Sequence, residues 1–257
     1  MKSFVTRSFL CLAITNLLLL DLAAQQAPTA DAPASQQSEP TDKRKTQDPK
    51  TVDKNQGTSN DRLFYALPNF LTLENTGKVP PLTTAQKFKV VTRGSFDYIQ
   101  IPWYAALAGI SQAENSEPGY GQGAEGYGKR LGAAFADGTI ENYMTGAVLP
   151  SLLRQDPRFF QESEGGFMHR TEYAVSRIFI TRTDSGHEQF NYSEVFGSAI
   201  SAAISTYSYH PKGDRNLPNT ASVWGTQVGY DTITIVVKEF WPDIRRKISK
   251  KKQYASQ

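Results

Sequence analysis

The 257-residue chain contains one cysteine and three histidines, and their scarcity excludes a good deal of chemistry. Cys11 lies inside an apolar run near the start, so the rest of the chain has no thiol for a disulfide, a thiolate metal site or a cysteine nucleophile. His169, His187 and His210 show no paired spacing such as i, i+4 on a helix. A transition-metal centre would therefore have to gather carboxylates from distant segments, and neither a metal nor another cofactor is expected. Charge of one sign is also lacking. The formal net charge is +3, which gives a nucleic-acid role no global electrostatic support. There is no Gly-x-Ser-x-Gly elbow for a serine hydrolase, and no uncharged run quite long enough to span a bilayer.

What is present begins with MKSFVTRSFLCLAITNLLLLDLAAQQAP. Lys2 and Arg7 precede an apolar run from Phe9 to Leu20, and the small pair Ala23 and Ala24 follows. This is the layout of a secretory signal peptide over 1–24, with cleavage expected near Ala24, because Asn16 and Asp21 break the run. The expected location is outside the cytoplasm, periplasmic or associated with the outer membrane. Residues 25–62 are rich in Gln, Pro, Ala, Ser, Thr, Asp and Lys, with Val52 the only sizeable aliphatic, and they read as a disordered linker. Residues 63–248 form the expected folded domain, and 249–257 a basic tail. Arg245, Arg246, Lys247, Lys250, Lys251 and Lys252 crowd this end, where they could touch anionic lipid or nucleic acid, although a solvated helix end that complements the dipole is the plainer account.

Within the domain, 63–81 looks like loop. Thr83 followed by Gln86 predicts a capping box and a short helix ending near Gly94, and Asn191 followed by Glu194 predicts another helix start. Between them, FMHRTEYAVSRIFITR is compatible with a helix through Tyr173, Val175, Ile178 and Phe179, and its end, RIFITRTDSGHEQFNYSEV, offers instead a hairpin near 178–192 around Asp184-Ser185-Gly186. The last segment, from Asn216 on, reads as one long helix or a pair. Small residues recur four apart, as in Gly128, Gly132 and Ala136, or Gly197 and Ser201, and favour close helix packing. Three uncharged stretches, 98–113, 195–211 and 216–230, are rich in Ser, Thr, Tyr and Gln. They fit a buried helical core better than spans. The expected fold is mainly α, a compact helical bundle with small-residue packing and one short hairpin.

The stretch PGYGQGAEGYGKRLGAAFAD overlaps two phosphate-loop patterns, Gly121-x-Gly123-x-x-Gly126 and Gly123-x-x-x-x-Gly128-Lys129. A dinucleotide loop needs a Val/Ile-rich strand before it, and here the preceding residues are alanine-rich and polar. The phosphate loop needs Ser or Thr after its lysine, and Arg130 stands there. The glycines are therefore read as a turn into a packed helix. Arg and Asp in short polar words supply Arg154 and Arg158, with Lys129 and Arg130, as anion-binding candidates, although such residues more often cap helices and form bidentate pairs.

Ser185-Gly186-His187 resembles the Ser-Gly-His core of the type 2 phosphatidic-acid phosphatases. That resemblance implies a helical protein acting on lipid phosphate at a membrane, with His187, Arg182, Arg215 and Asp231 as its site. Asp184 replaces the family's proline, no Lys-x6-Arg-Pro precedes it, and no histidine follows Arg215 to act as nucleophile. The implied relative is thus divergent or inactive. The words YGKRLGAAFAD, LPSLLRQDPRFF, YAVSRIFITRTDSG and EFWPDIRRK resemble a family of uncharacterised exported, envelope-associated bacterial proteins, from about Leu82 to Lys247. This implies location and a shared fold, without chemistry. The expected role is a non-enzymatic structural or interaction protein of the envelope, with membrane lipid or an envelope protein as partner.

Overall fold

The computed structural model describes residues 52–53, 58–74 and 79–255, all within the unit Gln47–Gln257. The signal segment, its cleavage site and most of the 25–62 linker lie outside the described residues. The fold is mainly α, with short strands at its margins. Strands β1 (Val52–Asp53) and β2 (Thr58–Ser59) pair antiparallel, as do β3 (Arg62–Leu63) and β4 (Leu67–Pro68). Thr58 and Ser59 are buried, so packed structure begins within the stretch whose composition suggested a linker.

The helices follow their local signals. Helix α1 (Thr84–Ser95) carries the anticipated capping box, with Thr83 Oγ1 accepting from the Gln86 amide and Gln86 Oε1 accepting from the Thr83 amide. Helix α2 (Gln100–Glu114) packs against α3 (Gly123–Tyr143). Helix α3 passes through a π-helical turn, Met144–Val148, into the short α4 (Leu149–Leu153). Next come β6 (Gln155–Asp156), β7 (Phe159–Gln161) and α5 (Phe167–Phe179). The hairpin at 178–192 is β8 (Ile180–Thr183) and β9 (Glu188–Phe190), with β6 on the other edge of β8. Helix α6 (Tyr192–Ser208) starts at Asn191, whose side chain accepts from the Glu194 amide. The final helix, α7 (Leu217–Ala255), is continuous through Pro242 and runs on into the residues read as a basic tail.

The loop-like stretch 63–81 is more ordered than its prolines suggest. Its strand β5 (Thr72–Glu74) pairs parallel with β7, Thr72 opposite Phe159. The adjoining apolar core gathers Phe70, Val90, Val91 and Ala147, with Leu71 and Tyr143 against them. Small-residue packing holds at Gly197, where a β-carbon would lie 3.1 Å from Thr145 and 3.2 Å from the Met144 backbone. At Gly128 and Gly132, however, a β-carbon would meet nothing within 4 Å. The face that α3 buries is instead Gly126, Arg130 and Ala133.

Buried polar clamps join the segments. The Lys87 ammonium, 1 % exposed, donates to Pro150 O, Gln155 O and both Asp184 carboxylate oxygens at 2.7–3.2 Å. The fully buried Glu239 accepts from Arg170 and from the Glu162 and Ser163 amides, while Arg170 also reaches Asp243. Trp241, also fully buried, carries Phe64 and Tyr65 against its ring. The EFWPDIRRK word is therefore a docking segment of α7.

Candidate functional site

Gly121 and Gly123 have left-handed backbones, and the chain at Gly126 comes so close to Gly121 O that a β-carbon would sit 2.4 Å from it. The buried Arg130 guanidinium then donates to Gly121 O, Glu117 O and the side chains of Gln112 and Asn115. A phosphate loop turns amide N–H groups toward its ligand. Here an arginine binds the carbonyls of the loop, so the turn is held by the chain itself. The other anion candidates are also occupied or isolated. Lys129 pairs with Glu125 on the surface, and Arg158 clasps Asp156 and donates to Pro80 O. Arg154 is an exposed residue in left-handed conformation at the end of α4. The structure does not gather these four cations at one place.

The residues of the lipid-phosphate reading are placed as follows. Arg182 and Asp231 line the same cavity. His187 is exposed at the β8–β9 turn, its amide donating to Thr183 Oγ1, and Arg215 donates to His210 O and Ser208 O. Neither of the latter two lines the cavity that holds Arg182 and Asp231.

That cavity, of about 130 Å3, lies between the β6–β8 region, α5, α6 and α7. A second cavity, of about 220 Å3, extends toward α1 and the Phe70 core. Thr145, Pro157, Phe159, Glu194, Asp231 and Lys238 border both. Thr145 belongs to the π-helical turn, which widens the helix just where the cavities meet. Asp231 and Lys238 are two turns apart on α7 and so share a face, and Glu194 reaches them from the first turn of α6.

The electrostatics of this interior are unusual. Burial pushes the Glu194 carboxyl well above the ordinary range, and the Asp231 charge and its hydrogen bond to Glu194 push it further. Burial also raises Asp231, against the opposing pull of Glu194 and Lys238. Glu141 is pushed up to about 9 by burial first, then by Asp231, Glu194 and Asp137. Burial lowers the Lys238 ammonium, although both carboxyls favour its charge. Burial and the neighbouring Asp231 charge thus favour the neutral form of Glu194, in a region with three acids and one amine. Among the described residues, no group of three or more His, Cys, Asp or Glu side chains is arranged to hold a metal ion.

Sequence reasoning named Asp231 for another reason and passed over Glu141, Glu194 and Lys238. A signal existed: Glu194 immediately precedes the uncharged stretch 195–211, and Asp231 immediately follows 216–230. Acids that close uncharged helical runs are candidates for interior positions.

A second feature lies on the outside of α6. Its inner face buries Ser193, Gly197, Ser198, Ser201, Ala202, Ser205 and Thr206. The outer face presents Phe196 at 53 %, Ile200 at 41 %, Ile204 at 40 % and Tyr207 at 51 % exposure. A water-facing helix normally does the reverse, turning its large apolar residues inward. Ile101, Trp103 and Ile110 of α2 are likewise exposed. Among the described residues, no helix is both long and apolar enough to cross a membrane.

No family model, no curated protein and no solved structure matches this chain.

Proposed function

We propose that this chain is a non-enzymatic interaction protein of the bacterial envelope that works at a membrane surface, reached by export, with lipid as the partner of its outward apolar stripe. The observation that carries the reading is the inverted α6, serines inward and Phe196, Ile200 and Ile204 outward. An apolar surroundings is the medium in which that arrangement is favourable. The helix is too short and polar to span, so it would lie in the interface with its stripe among the acyl chains.

The magnitudes fit reversible docking. Burying the exposed half of four such side chains contributes on the order of 4 kcal/mol, equivalent by itself to a dissociation constant of about 1 mM. The exposed Lys247 and Lys250 near the end of α7 add attraction to anionic lipid of about 1 kcal/mol each.

Flotation of the full chain with phosphatidylcholine vesicles, and with vesicles containing phosphatidylglycerol, tests this. The expected result is flotation with both, stronger with the anionic lipid at low salt, and loss of flotation in the F196S/I200S/I204S variant. These side chains point outward, so the variant should keep its helical circular dichroism. Absence of flotation, together with a dimer in sedimentation that the same three changes dissociate, would replace lipid by a second copy as the partner.

A further inference from the structure

The larger cavity is chemically one-sided. Asn69 and Ser95 border it at 2 % and 1 % exposure, yet Asn69 Oδ1 and Ser95 Oγ have no hydrogen-bond partner. The Asn69 amide nitrogen is already committed to Asp61 Oδ2, which leaves its oxygen as the acceptor on offer. Glu194 Oε1, on another residue lining the same cavity, is also without a partner. Two of these three atoms are pure acceptors once the Glu194 carboxyl is ionised, and a buried acceptor left unmatched is destabilising. Against these acceptors the lining offers a single cation, Lys238.

The donor set narrows the occupant. A divalent metal would need a carboxylate cage, and the described residues form none. A polyatomic cation with several N–H groups satisfies separated acceptors better. The other wall is apolar, with Phe70, Val90, Val91 and Phe159. A cavity of about 150 Å3 admits benzene, so about 220 Å3 has room for an amino group on a short alkyl or single-ring body.

We infer that this cavity binds a small primary amine as its ammonium ion, with Glu194, Asp231 and Asn69 around the head and Phe70, Val90 and Val91 around the apolar body. Binding replaces a proton on the carboxyl pair by an organic cation, so each ammonium bound releases a proton from the group made by Glu141, Glu194 and Asp231. Lys238 and Asp137 are the other charged groups acting on it. Affinity therefore rises with pH, by about tenfold per unit while one proton is released.

Titration calorimetry of the full chain with propylammonium chloride, repeated in two buffers of different ionisation enthalpy, tests the inference. Potassium chloride, sodium propionate and 1-propanol serve as controls. The expected result is saturable binding of propylammonium alone, with proton release and affinity increasing from pH 6 to pH 8. Glu194→Gln imitates the protonated acid in shape, so it should fold normally and weaken binding at least tenfold. Asn69→Leu, which removes a neutral acceptor, should weaken binding without changing the proton count. Equal heats from propylammonium and 1-propanol, binding of propionate instead, or full affinity in Glu194→Gln would each overturn the assignment.

Discussion

Lys87 brings an ammonium group to a place with almost no contact with water, and its three protons find Pro150 O, Gln155 O and the Asp184 carboxylate. The gain from such a pair over an apolar isostere is small, but removing one member leaves the others desolvated and unmatched. Lys87→Met should therefore destabilise the fold by about 3 kcal/mol, read as a lower denaturant midpoint with an unchanged slope. Asp184→Asn should cost less, because the Asp184 side chain is 27 % exposed and water can take over part of its role. The conspicuous words of the sequence have the same kind of meaning. Asp184 of TRTDSG anchors Lys87, Gln155 of QDPRFF receives the Ser193 amide and hydroxyl, and Glu239 of EFWPDIRRK receives two backbone amides and Arg170. At this scale the polar residues of these words are ties between segments.

Among the elements, α6 links the two features of interest. Its first turn supplies Glu194 to the interior, and its outer face supplies the apolar stripe. The start of the helix is fixed by Asn191, which accepts from the Glu194 amide and donates to Arg177 O. Asn191→Ala should lower stability by about 1 kcal/mol through loss of the cap, measurable as a fall in melting temperature. Because the cap also orients Glu194, the same variant should weaken propylammonium binding more than an alanine cap variant at Thr83. The hairpin β8–β9 was legible from Asp184-Ser185-Gly186, since β-branched residues flank a turn whose Gly186 takes a positive φ of 88°. The close packing anticipated at Gly128 and Gly132 was not, because periodicity gives a helix face without saying which neighbour it meets. Arg130, one of the anion candidates, occupies the buried face of α3 instead.

For the whole molecule, pH acts on His210 and on the buried acids in the same direction, since the folded pKa of each is raised. His210 is buried, with Nδ1 3.1 Å from Glu117 and Nε2 3.4 Å from Asp137. Burial lowers its pKa, but the two carboxylates outweigh burial and raise it to about 10. A folded pKa above the unfolded value of about 6.5 means that its stabilisation is complete below pH 6.5 and disappears as pH rises toward 10. Wild-type stability should accordingly fall between about pH 7 and pH 10, and His210→Asn should flatten that slope while lowering stability at pH 6. Chemical denaturation across this range checks the sign. The sequence by itself determined the mainly helical class, the helix starts at Thr83 and Asn191, and the turn at Asp184-Ser185-Gly186, because caps and turns are settled by residues within a few positions of one another. Only the tertiary structure decided the parallel pairing of β5 with β7, the Lys87 clamp, the acidic cavity and the outward direction of the α6 stripe. These bring together groups tens of residues apart, and whether a carboxyl is solvated or a phenylalanine exposed depends on which elements pack beside it, a choice that no local spacing encodes.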